Sequence, residues 1–163
     1  MFDGIKSNFK EPSYLWYMAV LRIAIGYFFL IAGWQKLVAG FISRNMLLTT
    51  LNDWVQNVHV LWYKHFLLEY AIPHNTLFAF LVTYGEIFIG LALIFGVAIR
   101  GTALLALLMS LNYELASGWR PGAGAIINKL FIICEIIILL SAAGRVFGID
   151  RILRKKYPRI PLW

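Results

Sequence analysis

Apolar residues along this chain fall into long runs separated by short polar stretches, and the runs set the elements. The first, from about Tyr14 to Lys36, reads YLWYMAVLRIAIGYFFLIAGWQK, and the second, from about Leu77 to Ile99, reads LFAFLVTYGEIFIGLALIFGVAI. A shorter third run extends from about Gly101 to Ala116 and a fourth from about Ala123 to Gly144. A helix needs about 20 mostly apolar residues to cross the hydrocarbon core, and each run approaches that length, the third least. The pattern predicts an all-α fold, an integral membrane four-helix bundle forming a single domain over residues 1–163. Arg100-Gly101 alone separates the second and third runs, so these two are expected as an antiparallel hairpin.

The stretch 37–75 is too polar to span and too apolar for free solvent. Within it, MLLTTLNDWVQNVHVLWYKHFLLEY places apolar residues at helical spacing among charges. This predicts an amphipathic outer segment, lying at the membrane interface, packed as a cap over the bundle mouth, or both. Pro73 ends it before the second span.

Composition agrees with the runs. The chain is 61% hydrophobic and 14% charged, against about 45–50% and about 25% for soluble domains. The net charge of +7 does not point to nucleic acid, because six basic residues (Arg145, Arg151, Arg154, Lys155, Lys156, Arg159) collect beyond the fourth run. Beside a span such a cluster sets orientation and meets anionic lipid. Lys6, Lys10 and Arg100 add to the same side, while Arg44, Lys64 and Arg120 are alone in the opposite loops. The expected topology is multi-pass in the plasma membrane with both termini cytoplasmic. The first run is too long for a signal peptide, carries Arg22 at its middle and has no convincing small-x-small cleavage site before polar sequence, so it reads as an uncleaved span.

One cysteine, Cys134, allows neither an internal disulfide nor a Cys-x-x-Cys pair. Thiol-oxidase and epoxide-reductase chemistry, which needs two thiols, is thereby excluded, as is an iron–sulfur cluster. His59, His65 and His74 all lie in the outer segment, which excludes a transmembrane bis-His haem, and their spacing is a weak metal signal. No phosphate-binding glycine loop occurs in a strand–helix setting. No covalently or metal-bound cofactor is expected, and an electron carrier would be a bound quinone or a partner's group.

The candidate chemistry is carried by charges within the runs: Arg22, Lys36, Glu86, Glu114, Lys129 and Glu135. A charge at the bilayer centre costs between ~2.5 and ~17 kcal/mol, so such residues pair, line a wet cavity or work. At ~1.5 Å per residue, Lys36, Glu86, Glu114 and Lys129 fall in one outer layer, with Arg22 and Glu135 as a deeper pair about 12 Å from the inner surface. Arg22, Gly26, Gly33 and Lys36 share a face about 80° wide, which is expected to be the packed face. Thr83, Glu86 and Gly90 cluster similarly, as do Ser110, Glu114 and Ser117, while Asn128 aligns with Glu135 and Lys129 points away. Glu86, Lys36 and Glu114 are the catalytic candidates; Arg22, Lys129, Glu135 and Asn128 are candidates for a quinone pocket or proton relay. The same charges could instead serve only as ion pairs fixing helix register.

These residues carry a resemblance. LRIAIGYFFLIAGWQKL, GEIFIGLALIFGVAIRGTALL and SAAGRVFGIDRIL resemble the DoxX-like superfamily of small four-span membrane proteins, and the long outer segment looks most like its DoxD branch. That branch includes the membrane subunit of thiosulfate:quinone oxidoreductase. The resemblance implies a subunit of a redox-linked membrane complex with a second protein subunit, and it carries Arg22, Lys36, Glu86 and Arg100 onto family positions. A non-catalytic membrane scaffold and a small transporter are the competing expectations. The lipid bilayer is the other partner, and a homo-oligomer is compatible with the pattern.

Overall fold

The computed structural model describes residues 16–141, 143–145, 148–151 and 153. Among these, six α-helices are present. In chain order they are α1 (Trp16–Val38), α2 (Met46–Trp54), α3 (Leu61–Phe66), α4 (Asn75–Phe95), α5 (Ile99–Ser117) and α6 (Ala123–Ser141). No strand occurs among the described residues. Three helices are long and apolar enough to cross a membrane, namely α1 with 23 residues, α4 with 21 and α6 with 19. The fourth long helix, α5, is more polar and is not one of the three. Lys6, Lys10, Arg154, Lys155, Lys156 and Arg159, on which the expected orientation leans, lie outside the described residues.

Helix α1 packs closely on α4. The approach is backbone to backbone: a Cβ at Gly90 would lie 2.6 Å from the Leu30 nitrogen, and one at Gly33 would lie 2.9 Å from the Thr83 carbonyl oxygen. Small residues permit this where lipid supplies no hydrophobic drive between helices. Ile25, Phe29, Ile89 and Leu93 fill in around the contact, with Ala103, Ala106 and Ile138 joining from α5 and α6. Large apolar side chains such as Phe28, Trp34, Phe80, Phe88, Leu130 and Leu140 point outward, as helices surrounded by lipid require.

The hairpin differs from expectation. The sequence places the turn at Arg100-Gly101 and carries the second span to Ile99, but α4 stops at Phe95. Gly96 ends it with φ +71°, and Ala98 also adopts a left-handed backbone, φ 47°. Arg100 and Gly101 are already in the first turn of α5. The cause lies far along the chain: the Asp150 carboxylate accepts the N–H groups of Ala98 (2.6 Å) and Ile99 (2.8 Å), starting α5 three residues after Gly96. The fourth run also ends early, with α6 stopping at Ser141 before a 3-10 turn over Ala143–Arg145.

The outer segment forms a packed cap rather than one continuous helix. Helix α2 and a 3-10 turn (Val55–Asn57) run into an extended break, with Val58 at ψ 120° and Val60 at ψ 103°. Helix α3 follows and widens into a π turn over Leu67–Ala71. Leu47, Leu51, Tyr63 and Leu67 form a second core with Ala79 of α4 and Ala116 of α5. The segment is therefore packed as a cap, and Trp62 and Tyr70 on its exposed side are suited to an interface.

Candidate functional site

The close α1–α4 contact dictates the first site pair. Gly33 sits against the backbone of Thr83 and Ile87, which bracket Glu86, and Lys36, one turn further along α1, reaches back to Glu86 with its long side chain, as the N-terminal tilt of helical side chains allows. Lys36 Nζ donates to both Glu86 oxygens, at 2.6 and 2.5 Å. The hydroxyl of Tyr113, from α5, donates to Glu86 Oε1 at 2.7 Å. Glu86 is 2% exposed. The Lys36 ammonium lies 5.7 Å from the Tyr113 ring centroid and 6.0 Å from that of Phe41, within reach of cation–π attraction. A buried carboxylate is thus held by one cation and one phenol, as a charge at this depth requires.

These three residues border a cavity of about 520 Å³. Helix α1 contributes Phe28, Phe29 and Ala32, α5 contributes Ser110 and Ser117, and α6 contributes Ile127, Asn128 and Phe131. The volume is in the roughly 300–1,000 Å³ range of small-molecule sites, which are mostly apolar with a few convergent polar groups. On α5 the cavity face is Ser110, Tyr113 and Ser117, one position off the expected Ser110, Glu114 and Ser117.

The remaining candidates divide. Glu114 turns toward α6, where Asn128 Nδ2 donates to its Oε2 at 2.8 Å and Lys129 Nζ lies 2.9 Å from its Oε1. Asn128 also reaches the Ser110 carbonyl at 3.2 Å, tying α6 to α5. Of these, only Asn128 borders the cavity; the Lys129 side chain is 56% exposed. The outer layer is therefore two separate pairs, Lys36–Glu86 at the cavity and Glu114–Lys129 at the α5–α6 seam. Glu135 is fully buried behind the cavity wall and accepts from the Ser110 hydroxyl at 2.8 Å. Its other oxygen has no hydrogen-bond partner among the described residues.

The expected Arg22–Glu135 pair does not form. The Arg22 guanidinium lies against Gly96 and Gly148, where a Cβ on Gly96 would overlap it, and it acts electrostatically on Asp150. Arg22 thus belongs to the hairpin end of the molecule. Arg22 reaches the α4–α5 turn and the returning chain instead of crossing to α6. Asp150 is 1% exposed. Burial raises its pKa above the usual aspartate value, while the Ile99 and Ala98 N–H groups and the Arg22 charge act in the opposite sense. No group of three or more His, Cys, Asp or Glu that could hold a metal occurs among the described residues.

Two residues escaped the sequence reading. Tyr113 carries no charge and looks like one more interfacial aromatic, although its spacing of three from Ser110 puts it on the same face. Asp150 stood out only as part of the Asp-Arg ending, since its partners are 51 and 52 residues away.

An all-α protein with membrane-crossing helices, a charged cleft under one end and a packed cap above it is the class that fold and site define. The chain matches the family described as TQO small subunit DoxD over residues 17–162 and belongs to that family. No curated protein and no solved structure matches it.

Proposed function

We propose that this chain is the membrane subunit of a quinone-linked oxidoreductase of the thiosulfate:quinone type, and that its cavity receives the quinone head. In this reading it crosses the plasma membrane four times, with α5 as the fourth span, its exposed Leu104, Leu105, Leu108 and Leu111 turned to lipid, and both termini cytoplasmic. The single observation that carries the reading is the buried Lys36–Glu86–Tyr113 cluster facing about 520 Å³ of space. A pair serving only helix register has no use for a cavity beside it. A quinone gains two electrons and two protons on becoming a quinol. The electrons come from thiosulfate through a second protein subunit, as the family description suggests. Lys36 and Tyr113 carry the protons nearest the cavity, and Glu86 holds both donors in place and exchanges protons with them.

The test uses the complex drawn from native membranes with its neighbours. Glu86→Gln is expected to lower quinone reduction by about 10²–10⁴-fold, the usual worth of a positioned acid–base group. Unchanged turnover, or failure of the complex to bind quinone at all, overturns the proposal. The competing reading, a non-catalytic scaffold, is favoured by one observation: Lys36–Glu86 sits one turn from the Gly33–Thr83 contact and so also fixes α1–α4 register. Under that reading, Glu86→Gln with Lys36→Met alters stability and leaves quinone chemistry untouched.

A further inference from the structure

The cavity has two unlike ends. Lys36, Glu86 and Tyr113 make one end polar, while Phe28 from α1 and Ile127 and Phe131 from α6 make the other apolar. Phe28 and Ile127 border the cavity and yet are 53% and 50% exposed. A side chain that lines a cavity and is also half exposed marks where that cavity meets the exterior. Phe28 stands 12 residues from the start of α1 and 10 from its end, roughly 15 Å or more from either end at ~1.5 Å per residue. Ile127 is four residues into α6. The flanking exposed residues include the apolar or aromatic Tyr27 and Ile31 on α1 and Ile126 and Leu130 on α6, with the exposed Lys129, held by Glu114, beside them on α6. On α1 the opening lies at mid-helix among outward-facing apolar side chains, and on α6 it runs from Ile127, roughly 6 Å from the helix start, to Phe131, roughly 12 Å in.

We propose that the cavity is loaded sideways from the bilayer through a mouth between α1 and α6, and that its ligand is a single-tailed amphiphile with a flat polar head. The head lies against Lys36 and Tyr113 and the tail leaves between Phe28 and Phe131. This rests on the quinone reading above and adds the route and the requirement for a tail. Aromatic rings close the mouth: Phe131 is 5.7 Å from Phe28 and 6.0 Å from Phe29, centroid to centroid. Rings so placed turn aside by side-chain rotation, without parting the helices, and present apolar faces to an isoprenoid chain. A ligand arriving from water would instead pass near Ser117 and Gly124, at the cap end of the cavity.

Two measurements on the full chain in lipid nanodiscs test the route. The first uses a quinone whose long tail carries a photoactivated diazirine on its first carbons. Adducts are expected on Phe28, Ile127 or Phe131; adducts confined to 117–124 or to the cap overturn the lateral route. The second compares binding of long-tailed and tail-less quinones with the same head to Ile127→Trp and Phe131→Trp, the former placed on a half-exposed residue so that folding is retained. Association of the tailed quinone is expected to slow about tenfold, the scale on which apolar sites respond to small changes of fit, while the tail-less one is unaffected. Equal slowing of both, or of neither, overturns the proposal. Quinone that binds but labels the water side refutes the route and leaves the quinone reading standing; a protein that binds neither quinone refutes both.

Discussion

The two ends of this molecule answer the same problem, charge within apolar helices, in different ways. At the hairpin end, Asp150 accepts two backbone N–H groups, Gly96 and Gly148 stand against the Arg22 guanidinium, and the Asp150 N–H returns a bond to the Gly96 carbonyl at 2.9 Å. Side chain and backbone there are closed on one another. At the cap end, Lys36, Glu86 and Tyr113 are equally well bonded but face about 520 Å³ of space. Burial and pairing occur at both ends, so neither distinguishes structure from function. What differs is whether the paired groups can reach anything else.

The sharpest way to break the contrast is to remove the hairpin-end carboxylate. Asp150→Ala leaves the N–H groups of Ala98 and Ile99 without their acceptor, and an unsatisfied buried donor costs about 1–3 kcal/mol each. Greatly reduced recovery of folded protein from membranes is expected, together with lower resistance to thermal unfolding in detergent. If Asp150→Ala folds and melts like the parent, the hairpin end is not the structural half of the comparison. Gly90→Ala comes next. Its Cβ would meet the Leu30 backbone, which cannot rotate away, so an overpacking loss of about 1–3 kcal/mol is expected. Because that strain pushes α1 from α4 near Lys36 and Glu86, quinone binding should weaken along with stability. Undiminished quinone binding in a destabilised Gly90→Ala protein would show that the site does not depend on the close contact.

Much of this arrangement can be read along the chain, and the unread parts share a cause. The long helices follow from runs of apolar residues, and the Gly26–Gly33–Lys36 stripe correctly identifies the packed face of α1, because both are periodic and local. Depth along antiparallel helices places Lys36 and Glu86 in one outer layer with Glu114 and Lys129, and the structure divides that layer into two pairs. Depth alone cannot say which neighbour a long side chain selects: it pairs Arg22 with Glu135, whereas Arg22 lies by Gly96 and Gly148 and acts on Asp150. The α4–α5 turn differs from expectation for the same reason: Asp150, 51 residues beyond Ile99, supplies the acceptor that starts α5. Tyr113 does not stand out along the chain because an uncharged donor adds nothing to a count of charges.

Lys36→Met tests the cap end itself. Glu86 keeps the Tyr113 hydroxyl and loses its cation, so breaking this pair is expected to cost a few kcal/mol, about 3–5 at most, and less because the Lys36 side chain is 24% exposed. Restoring charge balance with Glu86→Gln in the same chain should recover most of that stability and none of the quinone chemistry. A double variant no more stable than Lys36→Met would mean that the two residues do not act as a pair, a result that a thermal melt in detergent reads directly.

The smallest effect expected belongs to the cap, which joins the two ends by closing one of them. Tyr63 is 2% exposed, and its hydroxyl donates to Asn112 of α5 at 2.9 Å to the side-chain oxygen. Burial pushes its pKa up to about 12. The folded state therefore keeps the phenol proton where the unfolded chain, near pH 10, has released it. The contribution of this residue to stability is whole below pH 10 and drains away as pH rises from about 10 toward about 12. Tyr63→Phe gives up one hydrogen bond, worth about 0.5–1.5 kcal/mol, and should lower stability by that amount at neutral pH. The same variant should also soften the loss above pH 10, since it removes a proton-release site that only the unfolded chain uses in that range. If the variant loses stability above pH 10 as steeply as the parent, Tyr63 does not couple the cap to α5, and the cap is a lid resting on the helices rather than a part of their core.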